Sequence, residues 1–380
     1  FTTLTYNNPI EVIDRTELPN KLATISTTFN QTPYYFPNQP IFKGTVVRAK
    51  AVKEGAISSE TITKTFFITS EESNRYSIPV VSISLDEENF FDYEKGIHVA
   101  GKDFDDWRSN NPDGDALWSN ANYKRSGDET EKFAHFSFFE NGNEIVNQNI
   151  GIRIHGGFTR ISPNKSLRLY ARSEYGNSSF NHSFFEDSSY SSFKRLILRN
   201  SGNDVSSTYF RDAFIQKTVN HLNLDTQAYQ PAITFLNGEY WGMLNLRERF
   251  DRHYFERVYN IAEGDLDFLE YNGFSVQEGD YEHYANMLAF IENNNLQDPA
   301  NFNYVKTQMD TENYTDHFIA NIYARNTDWP HNNIEFWRKR TEQYEPDAPY
   351  GHDGRWRWVL KDTDFGFGAE GGPQAYEHNT

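Results

Sequence analysis

The sequence predicts an α+β protein in which a small β-sandwich module, residues 1–70, precedes a larger domain, residues 78–380, with a polar linker at 70–75. Three observations support this prediction. Apolar and polar residues alternate in two N-terminal segments, short apolar runs follow, and apolar stripes at helical spacing appear only after residue 210. Strands that precede helices are typical of an α+β domain with a β-rich N-terminal lobe and a helical C-terminal lobe.

The composition narrows the classes of partner. The chain has 380 residues, 54 of them acidic and 36 basic, and a formal charge of −18. Such a charge repels phosphate backbones, so we expect no nucleic-acid partner and favour a basic protein or peptide. No apolar run approaches the ~20 residues that span a bilayer, so we expect no membrane span.

The chain contains no cysteine, which excludes disulfides, zinc–thiolate sites and thiol catalysis. This absence does not fix the cellular compartment. The sequence starts at Phe1 without a signal-like segment, and we interpret it as a fragment of a longer protein.

The N-terminal segment predicts two strands of a small β-sandwich. Residues 45–52 alternate apolar and charged side chains, and residues 61–68 form the next strand after a turn at residues 54–55. The segment resembles the immunoglobulin-like module of chitobiases through residues 6–10 and 42–51. This resemblance implies a partial module that acts as a spacer or adhesive unit.

The larger domain begins with strands and continues with helices. Strands are predicted at residues 80–85, 134–139, 150–155 and 166–170. Helical stripes are predicted from Phe210 to Leu222, from Tyr281 to Ile291, and over residues 311–325 with Thr311 as the N-cap. Residues 103–122 are predicted to form a long surface loop.

The first candidate for chemistry is a predicted hairpin with a glycine pair at Gly156–Gly157. Exposed N–H groups at the bend, together with Arg160, Lys165 and Arg168, suit phosphate oxygens. The alternative is that the glycines only turn the chain.

The second candidate follows a hairpin at Asn237–Gly238. Glu248 comes directly after the second strand and could pair with a lysine. The alternative is a surface carboxylate between Arg247 and Arg249.

The third candidate combines two acidic loops. Pro330 ends any helix and leaves Asp328 on a loop, and Asp328 and Asn333 have the D-x-x-x-x-N spacing of a kinase catalytic loop. Downstream, an apolar strand runs into Asp362 and Asp364 and then a glycine-rich turn. Such carboxylates suit Mg²⁺ held together with substrate phosphates. The alternative, that these residues cap helices or turns, stays open at this point.

From about residue 78 onward, the sequence resembles the CotH kinase family, a group of atypical, secretory-type protein kinases. Matching stretches occur in the family's order across most of the chain. They are residues 149–157, 198–204, 210–212, 237–242, 326–333 and 362–364. The resemblance implies a two-lobed kinase-like fold, binding of ATP with Mg²⁺ (or Mn²⁺), and phosphorylation of serine or threonine in coat or other secreted proteins.

The resemblance also implies roles for individual residues. Asp328 would orient the attacking hydroxyl and take its proton. The metal would be held by Asp362, with contributions from Asp364 and from Asn333 or Asn332. Lys165, together with Arg168 or Arg160, would neutralise the phosphates of ATP. Glu248 would form an ion pair with Lys165 and position it.

Two features depart from the family pattern. Lys361 stands before the first aspartate of the pair, where the family has an aromatic or small residue, and it could either pair with phosphate or weaken metal binding. The segment between the acidic loops, residues 340–355, is long and is expected to alter substrate access.

Other functions remain alternatives to a kinase. One is a non-catalytic module that binds carbohydrate or a cell surface through its many aromatic side chains. A weaker one is a glycoside hydrolase with two carboxylates about 5–10 Å apart. The two resemblances imply a bacterial protein that is extracellular or at the cell surface.

Overall fold

The computed structural model describes residues 5–30, 35–69, 75–369 and 374. Most of the predicted linker, residues 70–74, lies outside this description. The strands are β1 (Thr45–Ala49), β2 (Ile62–Phe66), β3 (Val80–Leu85), β4 (Lys132–Glu140), β5 (Asn143–Ile154), β6 (Leu167–Tyr170), β7 (Phe180–Asn181), β8 (Ser192–Phe193), β9 (Arg195–Arg199), β10 (Tyr229–Leu236), β11 (Glu239–Arg247), β12 (Leu266–Glu270), β13 (Ser275–Glu278), β14 (Glu335–Lys339) and β15 (Arg357–Val359).

Among the described residues, the α-helices lie between groups of these strands and have 5 to 14 residues. They are α1 (Glu87–Phe91), α2 (Gly101–Asn110), α3 (Arg211–Thr218), α4 (Arg252–Tyr259), α5 (Glu282–Asn293), α6 (Pro299–Gln308) and α7 (Thr311–Ala324). The mixture of helix and strand confirms the predicted α+β class.

The chain forms two compact units. Unit 1 comprises residues 1–184, 189–200 and 231–246, and unit 2 comprises residues 185–188, 201–230 and 247–380. Unit 1 contains most of the strands, and unit 2 contains α3 to α7 with a smaller sheet. Their equivalence to the two lobes of a kinase stays a prediction.

The sheet of unit 1 has the strand order β10-β11-β9-β6-β5-β4-β3 and closes on itself. Closure is a parallel pairing of β10 with β3, in which Ile233 lies opposite Val80. Ile83, Phe136 and Ile150, on three neighbouring strands, are fully buried, and consecutive residues of β3 and β4 are buried, so both faces of these strands are covered. All four strands predicted between residues 80 and 170 are confirmed. Strand β5 begins earlier than predicted, and its first half was missed because it is polar.

The N-terminal strands β1 and β2 pair antiparallel, as the alternating pattern predicts. Phe67, just after β2, packs against Phe235 of β10 with ring centroids 4.6 Å apart. Phe42 and Phe67 therefore share a core with Phe235 of the closed sheet within unit 1. The immunoglobulin-like module itself stays a prediction.

The predicted hairpin at Asn237–Gly238 is confirmed between β10 and β11. Both residues have positive φ, 47° for Asn237 and 86° for Gly238, which suits a tight hairpin turn. A Cβ on Gly238 would lie 2.4 Å from the carbonyl oxygen of Gly44. Glycine is therefore required here for both its backbone conformation and its small size.

Substitution of this glycine tests the packing of the N-terminal segment on the sheet. We expect Gly238→Ala to lower the free energy of unfolding by more than the ~1–2 kcal/mol that a left-handed alanine costs, because it also displaces Gly44. Gly55→Ala is the matched control, since Gly55 has φ +72° and open space around its Cβ position. Equal losses for the two variants in thermal unfolding would contradict the close approach.

The sheet of unit 2 has the order β13-β12-β14-β15, with antiparallel pairing throughout. One face of it packs on α5 through Tyr284, whose ring lies 4.5 Å from that of Phe336. Phe336 and Trp356 are fully buried in this core. The predicted helix from Tyr281 to Ile291 is confirmed as α5.

Three details of the predicted secondary structure are wrong. Asp310, not Thr311, caps α7, because its carboxylate accepts the N–H of Asn313 at 3.2 Å. In the first predicted stripe, Phe210 and Phe214 are about half exposed, and Ile215 carries the buried face. Residues 103–122 are not all loop, because α2 continues to residue 110 with its charged side chains outward.

No helix in the described part of the chain combines the length and apolar character that a bilayer crossing requires.

Candidate active site

Asp328 lies on a loop that is anchored on both sides. The loop follows α7, which ends at Arg325 in a left-handed conformation. Asn326 is fully buried and donates its Nδ2 to Asn321 Oδ1 at 3.0 Å, while its own Oδ1 accepts the N–H of Asp328 at 3.3 Å. On the other side, Trp329 packs on Phe318 with ring centroids 4.6 Å apart. The side chains of Asn326 and Trp329 therefore fix the backbone that carries the Asp328 carboxylate.

Two amides hold one oxygen of this carboxylate. Asn333 donates its Nδ2 to Asp328 Oδ2 at 2.8 Å, and Asn332 donates to the same oxygen at 3.1 Å. Oδ1 lies 3.7 Å from His331 Nε2, on the more exposed side of the loop. The structure thus brings together Asp328 and Asn333. Because Asn333 uses its NH₂ group on Asp328, its amide oxygen is the atom suited to a metal.

The pairing of β14 with β15 places both acidic loops at one end of the sheet. Glu335, two residues after Asn333, lies opposite Val359, three residues before Asp362. Since the two strands are antiparallel, the start of β14 meets the end of β15. The loop that carries Asn333 therefore enters the sheet at the same end at which the loop that carries Asp362 leaves it.

Asp362 has a strained backbone between two well-anchored neighbours. Its φ is +52°, in the left-handed region, which costs a non-glycine residue about 1–3 kcal/mol. The next residue, Thr363, is fully buried and donates its N–H to Asp212 Oδ1 at 2.8 Å and its hydroxyl to the same atom at 3.0 Å.

Asp212 holds this loop, although its sequence context predicts no role for it. Asp212 lies in the first turn of α3, and its Oδ2 forms a buried ion pair with Arg247. Gln216, one turn later, donates to Asp212 Oδ1 at 2.9 Å. The only signal in the sequence was that residues 210–212 belong to a stretch resembling the family.

Breaking this ion pair is expected to destabilise unit 2 strongly. Arg247→Met leaves the Asp212 carboxylate buried without its cation, which typically costs about 3–5 kcal/mol. The double variant with Asp212→Asn removes the uncompensated charge as well, so its loss should be smaller than that of Arg247→Met. Urea unfolding measures both losses, and a double variant that is no more stable than the single one would contradict this account.

Asp364 is nearly fully buried and is held differently from Asp362. Its two carboxylate oxygens accept the backbone N–H of Asn203 at 3.0 Å and the Asn203 side-chain amide at 3.4 Å. The glycine-rich turn that follows is fixed by Arg211, which donates to the carbonyls of Gly366 and Phe367 at 3.0 Å. A share of Asp364 in metal binding stays a prediction.

Lys361 is engaged by two carboxylates. Its ammonium contacts Glu335 and also lies 3.2 Å from Glu270. Burial alone would lower the pKa of Lys361, but these two carboxylates outweigh it and raise that pKa. Burial likewise raises the pKa of Glu335, while Lys361 opposes the shift. The ammonium is thus retained and matched by carboxylate charge.

The three predicted phosphate-binding cations lie in unit 1 and make contacts there. Lys165 is fully buried, donates to the carbonyls of Ser162 at 2.8 Å and Thr27 at 2.5 Å, and has a pKa strongly lowered by burial. Arg160 donates to main-chain carbonyls, among them Arg125 O at 2.7 Å. Arg168 Nε lies 2.9 Å from His155 Nδ1. Their role with ATP stays a prediction.

Glu248 lies in unit 2, immediately after β11. It is buried, forms an ion pair with Arg257, and accepts the N–H of Ala228 at 3.2 Å. Burial raises the pKa of its carboxyl, and Arg257 opposes this effect. The predicted pairing of Glu248 with Lys165 stays a prediction.

The predicted metal ligands have the right chemistry for Mg²⁺. Asp362, Asp364 and Asn333 offer carboxylate and amide oxygens, which are the ligands that this ion prefers. Among the described residues, no group of three or more His, Cys, Asp or Glu side chains is placed to hold a metal ion. The predicted set differs from such a group because one of its ligands is an amide.

A comparison with protein families finds a match. The family described as CotH kinase protein matches residues 152–378, which is more than half of the chain. This range contains all the predicted catalytic, metal-binding and phosphate-binding residues. The chain therefore belongs to the CotH kinase family. A search of curated proteins finds no match.

Proposed function

We propose that this chain is a protein kinase that transfers the γ-phosphate of ATP, with Mg²⁺ or Mn²⁺, to serine or threonine of a secreted or cell-surface protein. The proposal rests mainly on one observation: the Asp328–Asn333 loop and the Asp362 loop adjoin the same end of the β14–β15 pair. Membership of the CotH kinase family supports it.

Asp328 supplies the base in the proposed reaction. The substrate hydroxyl oxygen forms a bond to the γ-phosphorus, the bond from that phosphorus to the β–γ bridging oxygen breaks, and ADP leaves with the electron pair. The hydroxyl proton passes to Asp328. Since Asn332 and Asn333 occupy Oδ2, Oδ1 is the oxygen for this task. Phosphoryl transfer depends mainly on position and charge compensation, which a rigid loop provides.

Asp362 and the amide oxygen of Asn333 would hold the metal, with Asp364 as a further ligand. When bound, the ion neutralises charge on the β- and γ-phosphates. The contacts of Thr363 with Asp212 hold the backbone next to Asp362.

Lys165, Arg168 and Arg160 are proposed to neutralise the remaining phosphate charge, with Glu248 positioning Lys165. This role requires Lys165 and Arg160 to exchange main-chain carbonyl acceptors for phosphate oxygens. Phosphate is the stronger partner for a cation because its oxygens carry a full negative charge, whereas a carbonyl oxygen carries only a partial one.

The charge of −18 supports a substrate rich in lysine or arginine. An acidic surface draws such a protein by long-range attraction and speeds its encounter, and salt weakens this effect. We propose an extracellular or cell-surface location in a bacterium, on a spore coat or a comparable surface.

Incubation with labelled ATP and Mg²⁺ or Mn²⁺ tests the proposal, with a lysine-rich protein as acceptor. We expect transfer of label that disappears when EDTA removes the metal. Absence of transfer, combined with stabilisation of the chain by an oligosaccharide and not by ATP, would favour the alternative of a non-catalytic binding module.

A further inference from the structure

Lys361 directly precedes Asp362, and its contacts indicate what the lysine does in this chain. Glu335 is the first residue of β14, and Glu270 is the last residue of β12. The ammonium of Lys361 contacts both carboxylates. One side chain from the Asp362 loop therefore reaches two neighbouring strands of the sheet.

These contacts connect the two loops of the candidate site. Glu335 follows Asn333 by two residues, and Lys361 precedes Asp362 by one. The ion pair thus joins the chain that carries the amide ligand to the chain that carries the carboxylate ligand. It is half-buried, with the Glu335 side chain 8% and the Lys361 side chain 23% exposed, so solvent screens it less than a surface pair.

The strain at Asp362 explains why such a connection is needed. A residue with φ +52° relaxes to a negative φ unless its surroundings hold it. Thr363 is held on the C-terminal side by Asp212. Lys361 holds the N-terminal side, so Asp362 is fixed between two anchors.

The contacts of Lys361 argue against both roles that the sequence left open for this lysine. Two carboxylates face one ammonium, so the group as a whole adds no net positive charge that would repel a metal ion. The ammonium is also already bound by oxygen anions, which removes the need for a phosphate partner.

We propose that Lys361 is a positioning residue that ties the Asp362 loop to the start of β14 through Glu335 and thereby sets the distance between the two predicted metal ligands. This inference rests on the proposed function, because it concerns the same metal site.

Binding of Mn²⁺ to the full chain, followed by electron paramagnetic resonance without nucleotide, tests the inference. We expect Lys361→Met to weaken Mn²⁺ binding by about tenfold or more, as loss of a group supporting a metal ligand commonly does. Lys361→Arg keeps the charge and should recover most of the affinity. Glu335→Gln, which leaves the lysine in place, should weaken binding in the same direction.

The double variant Lys361→Met with Glu335→Gln removes the possibility that a freed Glu335 carboxylate captures the ion. Its loss of affinity should resemble that of either single variant, because the two residues act as a unit. Lys95→Met is the matched control, since Lys95 forms an exposed ion pair with Glu88. Thermal unfolding without metal shows which variants retain the fold; Lys361→Arg and Glu335→Gln carry the test if Lys361→Met does not.

The outcomes separate this inference from the proposed function. Tighter Mn²⁺ binding by Lys361→Met would show that the lysine opposes the metal, and unchanged binding would show that it positions nothing; either result overturns the inference alone. Failure of the wild-type chain to bind Mn²⁺, with or without ATP, would overturn the proposed function as well.

Discussion

Asp328→Asn is expected to lower the rate of phosphoryl transfer by about 10²–10⁴-fold, the range typical for loss of a general base. Asparagine retains an oxygen that can accept the hydrogen bonds now donated by Asn332 and Asn333, so the loop should keep its conformation. It cannot take a proton from the substrate hydroxyl. The loss should therefore appear in kcat, with little change in the binding of ATP.

The measurement is single-turnover transfer of label from ATP to a protein acceptor. Asp347→Asn, the same chemical change at an exposed position in the segment before β15, serves as the control. Asp328→Asn with near wild-type kcat would remove Asp328 from the reaction. Loss of activity together with loss of thermal stability would instead indicate a structural role for its contacts with the asparagines.

Asp362→Asn is expected to abolish the metal-dependent part of ATP binding and to lower activity by at least about 10²-fold. A ligand at 100 times its Kd stabilises a folded protein by about 2.7 kcal/mol, which is readily detected in thermal unfolding. Wild-type protein should gain this stabilisation from ATP only when Mg²⁺ or Mn²⁺ is present. The variant should show the same small shift with and without metal.

The unliganded stability of Asp362→Asn controls for damage to the loop. Asp362 is partly exposed, and Thr363 keeps its bonds to Asp212, so we expect the variant to unfold close to the wild-type temperature. If the variant retains full metal-dependent stabilisation by ATP, Asp362 is not a metal ligand. Comparison with Asp347→Asn excludes a general effect of the lost charge.

The elements that the sequence predicted best are those whose signal is local. The strand at residues 80–85 and the turn at Asn237–Gly238 depend on alternation and on residues that tolerate positive φ, both of which are visible in a short window. Helix α2 was missed because half of its residues are charged and its first residue is a glycine. The N-cap of α7 was placed one residue late because Asp310 and Thr311 are both acceptable caps.

The part of the candidate site that was predicted from the sequence is also the part whose signal is local. Asp328 and Asn333 are five residues apart, and their contact follows from a short loop. The supports of the second loop come from distant positions: Asp212 precedes Thr363 by 151 residues, and Glu270 precedes Lys361 by 91. No pattern in a single sequence identifies such partners, and only the fold brings them to the loop.

The proposed function requires Asp362 and Asn333 to bind one cation beside the phosphates of ATP, with Asp328 next to the acceptor hydroxyl. Its most direct test is a crystal structure with Mn²⁺ and a non-hydrolysable ATP analogue, in which anomalous scattering locates the ion. The account predicts a manganese peak in contact with the carboxylate of Asp362 and the amide oxygen of Asn333, beside the triphosphate. A nucleotide bound elsewhere, or a manganese ion remote from both side chains, would contradict it.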